Sequence, residues 1–235
     1  MTQTNSGNVQ YAVPAPPIPS LAVVGSDLRY PVRRIHCVGR NYLAHVRELG
    51  NDEKMPPLFF AKAPDMIVET GSTIPYPIFT QNYHYEIELV VAMKSGGTNI
   101  PVEQALDHVY GYAIGLDMTR RDVQQAAAKA GRPWEVGKSF DQSAPCGPVY
   151  PASAVGHITS GHIDLKVNGN VKQESDINNM MWDVAHIIHH LSLQVAICPG
   201  DLIFTGTPEG VGPVVAGDEM VGSIDKLGEL RIKIS

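Results

Sequence analysis

Apolar and polar residues alternate singly over Leu230-Arg231-Ile232-Lys233-Ile234, and again through Ile163, Leu165 and Val167. This is the period-2 pattern of a strand with one face against a core. Asn168-Gly169 ends the second run in a hairpin turn signal. Shorter apolar runs at residues 33–39, 58–61, 74–77, 111–116 and 202–204 predict further strands, with Gly71 as a turn and Asp117 at the end of the 111–116 strand. Helical spacing is rarer. Val184, Ile187, Ile188 and Leu191 fit an i, i+3, i+4, i+7 stripe, with Asp183 as N-cap and Cys198-Pro199-Gly200 as the exit. Pro101 suits the first turn of a helix through about residue 109. Thr119 with Asp122 gives a capping-box-like start for a helix through Ala130, ended by Gly131 and Pro133. Asn41 can cap a short helix that stops at Gly50. On it His45 and Glu48, three apart, are neighbours on a side away from Leu43, Val46 and Leu49. Many short strands with three or four peripheral helices predict an α+β domain built on β-structure, not a βαβ repeat.

Ahead of this body, Pro14, Pro16, Pro17 and Pro19 favour an extended, polyproline-like segment that packs across a surface or a partner subunit. The expected division is therefore a Pro-rich N-terminal arm, residues 1–32, and one β-rich domain, residues 33–235, which is ample chain for a single core. A net charge of -6 without a basic patch argues against a nucleic-acid partner. Cys37, Cys146 and Cys198 are odd in number and widely spaced, so neither a disulfide framework nor a zinc site is expected. The first ten residues hold no basic cluster or apolar h-region, and no later run approaches a membrane span. A cytoplasmic location with no membrane partner is the expectation.

The chemistry centres on His84-Tyr85-Glu86-Ile87-Glu88-Leu89-Val90-Val91. As a strand this puts Glu86 and Glu88 on one face with His84, and two neighbouring anions need water or a cation between them. From these residues alone an amphipathic strand with a wet outer face is the simpler reading; a hard divalent cation with oxygen ligands is the other. His45 with Glu48 is either a solvated helix pair or an imidazole oriented by a carboxylate. Lys138, set among Trp134, Val136 and Phe140, is either a surface lysine or a partly buried ammonium with a purpose. Two phosphate motifs are mimicked and declined. Five residues separate Gly131 from Gly137 before Lys138-Ser139, one more than a P-loop has, and Pro208 and Pro213 forbid a helix after Thr205-Gly206. The Thr205 segment is either a tight turn or a set of backbone donors suited to a small carboxylate. His186, His189 and His190 read as a solvated or edge-packed helix face.

Taken together, Val38-Gly39-Arg40-Asn41-Tyr42 with Ala44-His45, His84 to Leu89, Gly115-Leu116-Asp117-Met118-Thr119, Pro133-Trp134 with Lys138-Ser139-Phe140, and Thr205 to Gly212 closely resemble the fumarylacetoacetate hydrolase family in its shorter, single-domain branch. The resemblance runs in order over residues 33–235. It implies the C-terminal-domain-like fold of that family, mixed β-sheets in a roll or barrel-like arrangement with peripheral helices, and a homodimer. It implies Glu86, Glu88 and Asp117 as ligands of Mg2+ or Mn2+, His45 and Glu48 as a water-activating dyad, and Lys138 as a charge stabiliser. Arg40, Arg120, Arg121, Gln124 and Thr207 become substrate contacts, with Arg120 or Arg121 on a distal carboxylate. The expected reaction is metal-dependent cleavage of a carbon–carbon bond in a diketo acid. The arm, Asp27-Leu28-Arg29-Tyr30-Pro31 and Arg120-Arg121 look most like the branch that hydrolyses fumarylpyruvate in gentisate breakdown. Acylpyruvases, oxaloacetate decarboxylases and isomerase-decarboxylases share the triad and stay open as alternatives. So does a module of another class that binds a cation or a carboxylate metabolite without catalysis.

Overall fold

The computed structural model describes residues 10–42 and 56–235. Among these the strands form four sheets. The largest runs from edge to edge through Leu58–Lys62, Arg34–Gly39, Asp201–Phe204, Ile87–Met93, Val109–Leu116, Ala144–Cys146 and Ile67–Glu69, with Tyr150–Pro151 also paired to Val109–Leu116. It is mixed, since Asp201–Phe204 lies parallel to Arg34–Gly39 and antiparallel to Ile87–Met93. A second sheet holds Asn170–Asp176, His162–Val167, Glu219–Ile224, Glu229–Ile234 and Thr73–Ile74. Ile87, Leu89 and Val91 share one core with Ile163, Leu165, Met220 and Ile232 of that sheet. Val90 and Ala92, on the opposite face, pack with Cys37, Leu202 and Phe204 in another core closed by Leu21, Val23, Tyr30 and Val32. Those last four flank or belong to a small hairpin, Ser20–Ala22 paired with Arg29–Pro31. Covered on both faces, the Ile87–Met93 strand is apolar almost throughout and buried at every residue.

Local patterns are borne out where the chain closes on itself. His162–Val167 and Asn170–Asp176 pair through Asn168 and Gly169, whose φ values of 50° and 78° suit a primed turn. Asp183 caps the Val184–Ser192 helix by accepting from the His186 N–H at 2.9 Å. That helix ends at Ser192, well before the expected exit, because the Ser192 carbonyl accepts from the Asn99 N–H and its hydroxyl oxygen accepts from the Ile100 N–H. Of its histidines, His186 meets Asp183, His189 meets the Ile100 carbonyl and His190 packs edgewise on Trp182, an edge-packed face as read. The helix after Pro101 is short, Val102–Ala105 followed by a 3-10 turn.

Two expected caps are absent for long-range reasons. Thr119 pairs with His84 in a strand, and the Asp122 carboxylate accepts from the Thr80 hydroxyl and the Gln81 N–H, so the Arg121–Lys129 helix starts without a capping box. The Asn41 side chain is engaged by Trp182 and Thr205. The rest of the helix expected after it, with His45 and Glu48, lies outside the described residues.

Candidate active site

The strand expected over residues 84–91 is two strands. Tyr83–Tyr85 pairs with Thr119–Arg120 and Gly212–Pro213 in a three-stranded sheet, Ile87–Met93 runs in the large sheet, and the chain passes between them at Glu86. Neither acid is wet. Glu86 is 5% and Glu88 1% exposed, which overturns the amphipathic-strand reading. Pairing of Leu116 with Ile87 brings Asp117 alongside, and the Asp117 N–H donates to the Glu86 carbonyl at 2.8 Å. Register thus assembles a group in which one ligand atom from each of Glu86, Glu88 and Asp117 lies within 4.8 Å of the others.

Three buried carboxylates repel unless cations or donors answer them. The Lys138 ammonium donates to Glu86 Oε2 at 2.7 Å and Asp117 Oδ2 at 2.6 Å. Arg121, from the first turn of its helix, donates to Glu86 Oε1 and to Gln124 Oε1. Lys62 stands 2.9 Å from Asp117 Oδ1 and donates to the carbonyls of Met118 and Lys138. Glu88 accepts from the Gly206 N–H at 2.7 Å. Burial, then Asp117 and Glu86, nonetheless push the Glu88 carboxyl well above its usual range. Burial opposes the Lys138 charge, but Asp117 and Glu86 outweigh it and raise that pKa. His84 is not part of the acidic face. Burial and then the Arg121 guanidinium lower it to about 4, and its Nδ1 accepts from Arg121 while Nε2 meets Asn82.

This donor set fits a hard divalent cation. Oxygens of three buried carboxylates converge from three separate backbone positions, and carboxylate oxygens are the ligands such an ion takes. Glu86, Glu88 and Asp117 are therefore a group that can hold a metal ion of the Mg2+ or Mn2+ kind.

The three acids stand on the wall of a cavity of about 290 Å³ that Arg40, Arg121, Gln124, Lys138 and Thr207 also line. Arg120 is not on that wall; its guanidinium stacks 4.1 Å from the Phe140 ring centroid. Phe60 and Trp134 form an apolar side, in edge contact at 5.0 Å. In the loop after Asp201–Phe204 the Gly206 N–H is taken by the protein's own Glu88, so this donor is engaged within the chain and positions an acid of the triad. Sequence reasoning missed Lys62 and Gln173. The only signal for Lys62 was a charge at the end of an apolar strand run. Gln173 is buried on the second sheet, accepts from the Ile87 N–H at 3.0 Å and donates to Thr207 Oγ1 at 2.8 Å. That leaves the Thr207 hydroxyl its own proton to donate into the cavity.

Residues 34–235 match the fumarylacetoacetate (FAA) hydrolase C-terminal family. The chain belongs to this family. The family fold read from the motifs, mixed sheets rolled together with few helices, is the fold observed. Fumarylpyruvate hydrolase of Ralstonia sp. is 46% identical over 176 residues, 75% of this chain and 91% of that protein. The mitochondrial oxaloacetate tautomerase of Mus musculus is 39% identical over 202 residues, 86% of this chain and 91% of that one. The crystal structure of fumarylpyruvate hydrolase from Pseudomonas aeruginosa in complex with Mn2+ and pyruvate is 53% identical, with a TM-score of 0.93 over 96% of this chain and 99% of that one. Members of the fumarylacetoacetate hydrolase family similar to this chain are thus enzymes acting on small molecules.

Proposed function

We propose that this chain hydrolyses the carbon–carbon bond of an acylpyruvate, with fumarylpyruvate and water giving fumarate and pyruvate. The observation that carries the reading is the cavity wall on which three buried carboxylates and Lys138 meet Arg121, Gln124 and Thr207. Similarity to a hydrolase that holds Mn2+ and pyruvate supports it. Held by Glu86, Glu88 and Asp117, Mg2+ or Mn2+ supplies Lewis acidity for the 2-oxo acid end of the substrate. Lys138 places positive charge where an oxyanion develops at C4. Thr207 and Gln124 offer neutral hydrogen-bonding groups to the substrate's oxygens. His45, oriented by Glu48, takes the proton of the water that adds to C4; both roles rest on the family resemblance. The C3–C4 bond then breaks, and a proton returned to C3 completes pyruvate. The catalytic unit is residues 33–235, with the Pro-rich segment as an arm, acting in the cytoplasm as a homodimer.

A second reading is an oxaloacetate-directed reaction, favoured by 39% identity to a tautomerase over 86% of the chain. Incubating the metal-loaded protein with fumarylpyruvate and following the loss of its ultraviolet absorbance, with fumarate and pyruvate identified as products, tests the first. Absence of turnover across several acylpyruvates would sink it.

A further inference from the structure

The cations on the cavity wall are not equivalent. Arg121 is held by Glu86 and Gln124, and Lys138 by Glu86 and Asp117. Arg120 lies off the wall, against Phe140. Arg40 is exposed, lines the same cavity and has no ion pair among the described residues. Its φ of 63° is left-handed, uncommon for a residue with a side chain and costly unless neighbours enforce it.

Asn41 enforces it. Fully buried, its amide donates to the carbonyls of Trp182 at 2.9 Å and Thr205 at 2.7 Å, and accepts from the Trp182 N–H at 2.8 Å. Gly206, with φ 97°, approaches so closely that a Cβ there would come within 2.7 Å of Asn41 Cβ. Gly206 is also the residue whose N–H holds Glu88. The turn that carries Arg40 is therefore fastened to the loop that positions an acid of the triad, and the guanidinium is presented from a rigid base.

We propose that Arg40 sets substrate specificity by pairing with the far carboxylate of a dicarboxylic acylpyruvate, an inference that rests on the hydrolase reading above. With the 2-oxo acid end directed to the triad, the other end of the substrate faces the mouth of the cavity. A carboxylate there needs a cation that no acid among the described residues already pairs, and a guanidinium can meet it with two parallel hydrogen bonds. An acylpyruvate ending in a methyl group gains nothing from Arg40.

The test compares fumarylpyruvate with acetylpyruvate on the Mn2+-loaded enzyme. In Arg40→Met the ratio of their kcat/KM values should fall about thirtyfold, the range for one charge-assisted contact, chiefly through KM for fumarylpyruvate. Arg40→Lys, which keeps the charge and loses the fork, should fall between. Calorimetric binding of fumarate and of crotonate, which lacks the second carboxylate, reads the same contact without turnover. Wild type should prefer fumarate, and Arg40→Met should lose that preference. An unchanged kcat/KM ratio, or a fumarate preference that is absent in wild type or survives in Arg40→Met, overturns the assignment. Failure of wild type to cleave either acylpyruvate would refute the hydrolase reading, while the fumarate and crotonate titrations would still decide for or against Arg40.

Discussion

Lys62 Nζ stands 2.9 Å from Asp117 Oδ1, with both side chains buried. Its ammonium sits against an acid that would hold a divalent cation. Removing one partner of a buried pair costs about 3–5 kcal/mol, because the other is left uncompensated. Lys62→Met should therefore lower the unfolding midpoint of the metal-free protein. Mn2+ should raise the variant's midpoint by more than that of wild type, since the ion replaces the missing charge. Thermal unfolding with and without Mn2+ measures both; equal shifts would contradict the pairing.

Glu88→Gln keeps the shape of the side chain and removes one of three crowded anions. Stability of the metal-free protein should hold or rise, because repulsion with Asp117 and Glu86 is relieved. Affinity for Mn2+ should fall by about tenfold or more, as a charged ligand oxygen is lost. Unchanged affinity in a calorimetric titration would remove Glu88 from the ligand set.

How much of this could be read from residues alone depended on distance along the chain. The hairpin at Asn168-Gly169, the Asp183 cap and the Glu229–Ile234 alternation are local, and all three were legible. The sheet change at Glu86 was not, because it depends on Thr119–Arg120 and Gly212–Pro213 arriving to pair with Tyr83–Tyr85. Asn41 looked like a cap since its short amide suits one, yet Trp182 and Thr205 claim it from far along the chain. The triad itself was legible only as a joint motif. Periodicity around Glu86 and Glu88 favoured solvent, and it is the second core, on the face shared by Glu88 and Val90, that removes it.

Asp201 illustrates an acid-sensitive contact outside the site. Burial alone would raise its carboxyl, but His36, the Cys198 N–H at 2.9 Å and Arg33 at 2.9 Å outweigh that and hold it below the usual carboxylate range. A depressed folded-state pKa gives stability that is present above the unfolded value of about 3.9 and lost as pH falls through the folded one. Wild type should therefore lose stability below about pH 4. In Asp201→Asn, weaker by about 2 kcal/mol at neutral pH, that part of the acid loss should be missing. Urea unfolding at neutral pH and near pH 3 checks it; parallel losses in both proteins would be the contrary result.

His45 separates reactions that the triad alone cannot. Cleaving an acylpyruvate needs a base to make water nucleophilic, whereas decarboxylating oxaloacetate needs no attacking water. His45→Ala should lower fumarylpyruvate hydrolysis about a hundredfold or more. Any metal-driven oxaloacetate decarboxylation should be spared by comparison. Equal losses on both substrates would deny His45 the role of a water-activating base.

The central claim is that the metal-loaded cavity is shaped for an acylpyruvate. Steady-state kinetics of wild type on fumarylpyruvate and oxaloacetate, with Mn2+ and then with chelator, test it most directly. The expected result is a higher kcat/KM for fumarylpyruvate, abolished by the chelator and restored by Mn2+. A higher kcat/KM for oxaloacetate, or hydrolysis that persists without metal, would contradict it.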